Sequence, residues 1–60
     1  MIFSPNTMIK NFGRLYRKAQ RKGYYSTSHS LTSAVAWASL HCPSMSGNHI
    51  VKMWLTGYNN

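Results

Sequence analysis

Six basic side chains recur along one short segment of this 60-residue sequence. Many of them stand three or four residues apart, and like charges at that spacing repel each other on a helix by a few tenths of a kcal/mol. Solvated helix faces usually mix the two signs, but this sequence contains no Asp or Glu. The pattern therefore favours a surface that binds an anionic partner over one that serves only solubility. The six residues are Lys10, Arg14, Arg17, Lys18, Arg21 and Lys22.

Two tyrosines, Tyr24 and Tyr25, directly follow these cations. Arginine can bind phosphate with two parallel hydrogen bonds and can stack on bases, and tyrosine rings can stack on unpaired bases. The sequence thus predicts a nucleic-acid site made of the six cations with Tyr24 and Tyr25. RNA is favoured over DNA, because these tyrosines would stack on unpaired bases. An acidic host protein, to which a small basic inhibitor would dock, is an alternative partner.

Residues with catalytic or metal-binding chemistry are few. His41, Cys42 and His49 lack the tight paired spacing and the four ligands of a typical zinc site. Without a carboxylate, general acid–base pairs and aspartate-oriented triads are absent from the sequence. We therefore expect no metal, no cofactor and no enzymatic activity.

The segment 5–22 has the rhythm of the amphipathic helix that would hold the cations. Ser4 is suited to cap this helix, and Pro5 suits its first position because proline's missing N–H has no helical partner there. The apolar residues fill an arc of about 120° opposite the cations. Gly23 is placed to end the helix. The apolar positions are Met8, Ile9, Phe12, Leu15, Tyr16 and Ala19.

Two more helices are expected. One begins after Ser30 and reaches about Leu40, and the other begins after Ser44 or Ser46 and ends at Gly57. The predicted fold is all-α, a single small basic domain over residues 1–60 with two to three helices. The second helix has its apolar face at Leu31, Ala34, Val35 and Ala38, with Trp37 and Leu40 outside it. The third has its apolar face at Ile50, Val51, Trp54, Leu55 and Tyr58.

A soluble cytoplasmic protein is expected from what the sequence lacks. No stretch is apolar over the roughly 20 residues that a membrane span needs, and residues 1–7 lack the charged start and long apolar run of a signal peptide. One cysteine cannot form an internal disulfide and suits a reducing compartment. Binding of the first helix to an acidic membrane surface is a lower-ranked alternative.

The second and third helices suggest a further alternative, a phage-type DNA-binding helix-turn-helix regulator. "IVKMWLTG" is similar to the end of a recognition helix, although "HCPSMSG" is longer than the usual turn of three to four residues. Packing of two helices on each other explains the same pattern. The residues that would meet DNA are Asn48, His49, Lys52, Met53 and Thr56.

Three motifs occur in an order that resembles the ribosome modulation factor family: "RLYRKAQRKGY" from Arg14, "CP" at Cys42, and "WLTGY" from Trp54. The resemblance implies a small two-helix cytoplasmic protein that binds ribosomal RNA on the small subunit and takes part in ribosome dimerisation and dormancy. This chain differs from the family in its longer central stretch, in Ser44 where the family usually has an aromatic residue, and in its lack of acids.

Overall fold

The computed structural model of the protein describes residues 4–23 and 27–60, which form three helices and no strand. The helices are α1 (Pro5–Arg21), α2 (Leu31–His41) and α3 (Gly47–Tyr58). This confirms the predicted all-α class. The number of helices is one more than the resemblance to ribosome modulation factor implies. None of the helices in the described ranges is long and apolar enough to span a membrane.

A serine caps the start of each of the three helices. The first turns contain no acidic residue, so the serine side chains supply the stabilising acceptors there. The Oγ of Ser4, Ser30 and Ser46 each accepts a hydrogen bond from the backbone N–H three residues later, at 3.2–3.3 Å. Such a bond satisfies a backbone donor that has no partner within the helix. At the other end of α1, Gly23 has a φ of 94°, a left-handed conformation that favours glycine. The predicted boundaries of α1 are therefore confirmed to within one residue.

The core lies where the three helices meet and consists of small and large side chains fitted together. Ile9 is fully buried, and Ala34 and Ala38 let α2 approach it closely. Trp54 fills the space beside them, and its indole N–H donates to the carbonyl oxygen of His29 at 3.0 Å. The ring of Phe12 meets that of Trp37 edge to face, with centroids 6.1 Å apart. These contacts fix α2 against the apolar side of α1.

Contacts near their two ends show that α1 and α3 run in the same direction. Near their starts, His49 Nε2 and Asn6 Oδ1 are 2.8 Å apart. Near their ends, Arg17 Nη1 donates to the carbonyl oxygen of Tyr58 at 3.1 Å. The C-terminal ends of α1 and α3 therefore lie at the same end of the molecule. Each such end carries a partial negative charge of about half an elementary charge.

Two glycines allow α1 and α3 to cross with their backbones in contact. Both Gly13 and Gly57 are buried. A Cβ atom at Gly13 would overlap the carbonyl oxygen of Trp54 and lie 2.9 Å from the Tyr58 nitrogen. A Cβ atom at Gly57 would overlap the Lys10 carbonyl oxygen and lie 2.6 Å from its carbon. No side chain fits at either position, so this crossing depends on glycine.

The prediction that α3 ends at Gly57 is therefore wrong. Gly57 does not end α3, which continues to Tyr58, but forms part of the core. The buried face of α3 includes Gly57, while Leu55, predicted to be buried, is 42% exposed. On α2, Val35 was also expected in the core but is 37% exposed.

We expect Gly57→Ala to destabilise the protein by about 2 kcal/mol or more, because overpacking against a backbone that cannot give way outweighs the roughly 1 kcal/mol that alanine gains in helix propensity. Gly47→Ala is the matched control, since nothing lies within 4 Å of a Cβ atom there. Thermal unfolding followed by circular dichroism should place Gly57→Ala well below the parent and Gly47→Ala at or above it. Equal melting temperatures for the two variants would contradict the close crossing.

Candidate anion-binding site

The cations of α1 form one continuous surface, here called the basic face. Five of its members are exposed, and the sixth, Arg17, is half-buried at its edge beside α3. The last turn of α1 contains Lys18 and Arg21, and Lys22 caps its C-terminus. Positive charge at a helix C-terminus is stabilising because the unpaired carbonyl groups there carry partial negative charge. The exposed members are Lys10, Arg14, Lys18, Arg21 and Lys22.

Arg17 differs from its neighbours because it is held by α3. Besides its hydrogen bond to the Tyr58 carbonyl oxygen, its guanidinium carbon lies 5.2 Å from the centroid of the Tyr58 ring. The first contact satisfies a carbonyl at the end of α3, and the second is a cation–π contact. Arg17 therefore does more than contribute charge to the basic face. It also joins two helices.

Tyr58 is held in place from three sides. Its ring stacks on that of Trp54 with centroids 5.2 Å apart and an interplanar angle of 16°. Its hydroxyl donates to Gln20 Oε1 at 2.5 Å. With Arg17 contacting its ring, Tyr58 links the core to the basic face. The sequence pattern assigned Tyr58 to the apolar face of α3 but gave no indication of this link to Arg17.

A cleft of about 240 Å³ lies between the basic face and the end of α3, here called the cation cleft. Its volume is several times the roughly 30 Å³ that one water molecule occupies in the liquid, so a phosphate group with some of its hydration can enter. The four basic side chains that line it come from α1, and the other lining residues come from the end of α3. The first group is Arg14, Arg17, Lys18 and Arg21, and the second is Gly57, Tyr58 and Asn60.

The structure thus brings together four of the six predicted cations in one concave site. Lys10 and Lys22 belong to the basic face but do not line the cleft. Tyr24 and Tyr25, the two predicted stacking residues, lie outside the described residues. The contribution of Gly57 and Asn60 was missed, because neither residue type has a spacing pattern that marks it as a binding residue.

The histidines considered as metal ligands contact other side chains instead. The His41 ring packs against Trp37 with centroids 4.8 Å apart, and His49 is paired with Asn6. Within residues 4–23 and 27–60, no three His, Cys, Asp or Glu side chains are grouped so as to hold a metal ion.

The surface required by the helix-turn-helix alternative is partly occupied. Of its expected DNA-facing residues, His49 is bound to Asn6 of α1, and Met53 packs against the core. Asn48, Lys52 and Thr56 are exposed, and only Lys52 among them carries charge. The basic face of α1 therefore offers far more positive charge to a nucleic acid than α3 does.

Comparison with protein-family models, with curated proteins and with solved structures found no match to this chain. The resemblance to ribosome modulation factor stays a prediction that rests on the three motifs.

The contacts of Arg17 predict that it contributes to stability as well as to charge. We expect Arg17→Gln to unfold about 4–8 °C below Lys18→Gln, which corresponds to a difference of about 1 kcal/mol in a domain of this size. Both variants lose one positive charge, so relief of repulsion is similar, and only the first loses the contacts with Tyr58. Thermal unfolding of the two variants, measured side by side, would contradict this role of Arg17 if their midpoints coincide.

Proposed function

We propose that this protein binds RNA through the basic face of α1, with the ribosome as its target. The observation that carries the proposal is the set of five exposed cations on one side of α1, in a chain that has no acid to pair with them. Each cation that meets a phosphate releases a condensed counterion, which favours binding. In the unbound protein these charges repel one another, so an anionic partner relieves a cost already present in the fold.

RNA is preferred to an acidic protein because of the kind of cations present. The planar guanidinium of arginine binds phosphate and carboxylate oxygens alike, but it can also stack on the faces of unpaired bases, which only a nucleic acid offers. Three of the six cations are arginines, and two of these, Arg14 and Arg21, are exposed. The ribosome is proposed as target because the basic segment, Cys42-Pro43 and the Trp54–Tyr58 motif follow the order of the ribosome modulation factor family.

The proposal predicts a strong dependence of RNA binding on salt. For a labelled single-stranded RNA, the logarithm of the association constant should fall linearly with the logarithm of salt concentration, by about 0.7 for each phosphate contact. We expect a slope that corresponds to at least three contacts, measured by fluorescence anisotropy. A flat response would favour docking to a protein instead.

A matched pair of variants locates the RNA-binding surface. Arg14→Gln with Lys18→Gln and the single change Lys52→Glu each lower the net charge from +7 to +5. We expect the α1 pair to bind RNA about tenfold more weakly at 0.15 M salt and Lys52→Glu to bind it like the parent, because Lys52 lies on α3, outside the basic face. If Lys52→Glu instead abolishes binding to duplex DNA of one sequence, α3 is the reading helix and the helix-turn-helix account holds.

The ribosome as target is tested by sedimentation through a sucrose gradient with excess competitor RNA. Any protein with a charge of +7 adheres to ribosomes at low salt, so only binding that survives the competitor supports this target. We expect the parent protein and Lys52→Glu to travel with ribosomes under these conditions. The pair Arg14→Gln and Lys18→Gln should remain in the light fractions.

A further inference from the structure

We propose that the cation cleft is a discrete phosphate-binding centre, which takes neighbouring backbone phosphates of the RNA, while the rest of the basic face contributes only long-range attraction. The inference rests on the proposed function and deepens it, because it divides the basic face into a site and its surroundings. The cleft contains four of the six cations of that face, whereas Lys10 and Lys22 lie outside it.

The two walls of the cleft supply different parts of such a site. The α1 wall supplies positive charge from Arg14, Lys18 and Arg21, which are exposed. The α3 wall supplies a fixed floor, because Gly57 is locked against the backbone of Lys10. An anion between these walls meets cations on one side and the carbonyl end of α3 on the other, where Arg17 offsets the partial negative charge by binding the Tyr58 carbonyl oxygen. Concave geometry of this kind concentrates the field of the cations on one position.

Arg17 gives the cleft its preorganisation. Its Nη1 is held by the Tyr58 carbonyl oxygen, and Tyr58 is in turn fixed by Trp54 and Gln20. The guanidinium has five N–H donors, so one hydrogen bond to Tyr58 leaves donors for an anion. A cation that is already ordered loses less conformational freedom on binding than a mobile one. Arg17 is therefore the preordered anion-binding residue of the site, and the exposed cations lie beside it.

Arg14 is also partly ordered before a ligand arrives. Its Nη2 donates to Asn11 Oδ1 at 3.3 Å, one turn earlier in α1. This bond engages one nitrogen of the guanidinium and directs the side chain along the helix surface. Two arginines of the cleft are thus restrained, one by α3 and one by α1, and a phosphate oxygen between them can accept hydrogen bonds from both.

Two double variants with equal net charge separate a discrete site from an evenly charged surface. Arg14→Gln with Arg21→Gln removes two cations from the cleft, and Lys10→Gln with Lys22→Gln removes two from outside it. Binding of a labelled single-stranded RNA is measured against salt for both. The loss of two phosphate contacts weakens binding about tenfold at 0.15 M salt and lowers the salt slope by about 1.4.

We expect the cleft pair to show this loss and the outer pair to keep the salt slope of the parent. Equal losses in the two pairs would overturn the discrete site and leave RNA binding by the basic face intact. If the parent protein shows no salt-dependent RNA binding, the proposed function itself fails. The two failures are therefore distinguishable. Circular dichroism of both pairs confirms that each is folded before binding is compared.

Sodium pyrophosphate serves as a second probe, since it offers phosphate oxygens without bases or sugar. In amide proton–nitrogen correlation spectra, it should shift the Gly57 and Asn60 resonances of the parent and of the outer pair, but not those of the cleft pair. Absence of these shifts in the parent would overturn the site. RNA should displace pyrophosphate. If pyrophosphate instead binds more tightly than RNA, the backbone phosphate is not the natural ligand.

Discussion

The close crossing of α1 and α3 at Gly13 and Gly57 is the constraint on which the other features of this protein depend. Because neither position has room for a Cβ atom, the two backbones touch, and α3 lies directly beside the edge of the basic face. At that distance Arg17 reaches the last carbonyl group of α3, that of Tyr58. If the helices crossed at a greater distance, Arg17 would be separated from the Tyr58 carbonyl group, and the cation cleft would become a flat surface. Stability and the candidate site thus originate in the same contact.

The same crossing explains how a chain without acids accommodates its cations. Helices α1 and α3 run in the same direction, so their carbonyl ends, with their partial negative charge, lie together. Arg17 bonds to one of these ends, and Lys18 and Arg21 lie in the last turn of the other. The helix ends compensate part of the charge, but their combined partial charge of about one elementary unit is small beside six cations. The remainder is available to an external anion.

Much of the fold was predictable because it depends on local patterns. The serine caps, the apolar rhythm of α1 and the all-α class follow from residue types a few positions apart. The predictions of the buried faces of α2 and α3 were less accurate. Periodicity counts apolar side chains, so it assigned Val35 and Leu55 to the core and could not register the buried glycines, which have no side chain to count.

The sequence by itself determined that six cations share one side of a helix and that no acid in the chain can pair with them, because charge and helical period depend only on residue identity and spacing. Only the tertiary structure decided which of these cations line the cation cleft. Arg17 and Lys18 are adjacent and carry the same charge, yet Arg17 is held by Tyr58, which is 41 residues away, and Lys18 is exposed. A contact over that distance depends on how closely two helices pack, which is set by the volumes of residues on both. The spacing of residue types along the chain contains no information on how closely the two helices pack.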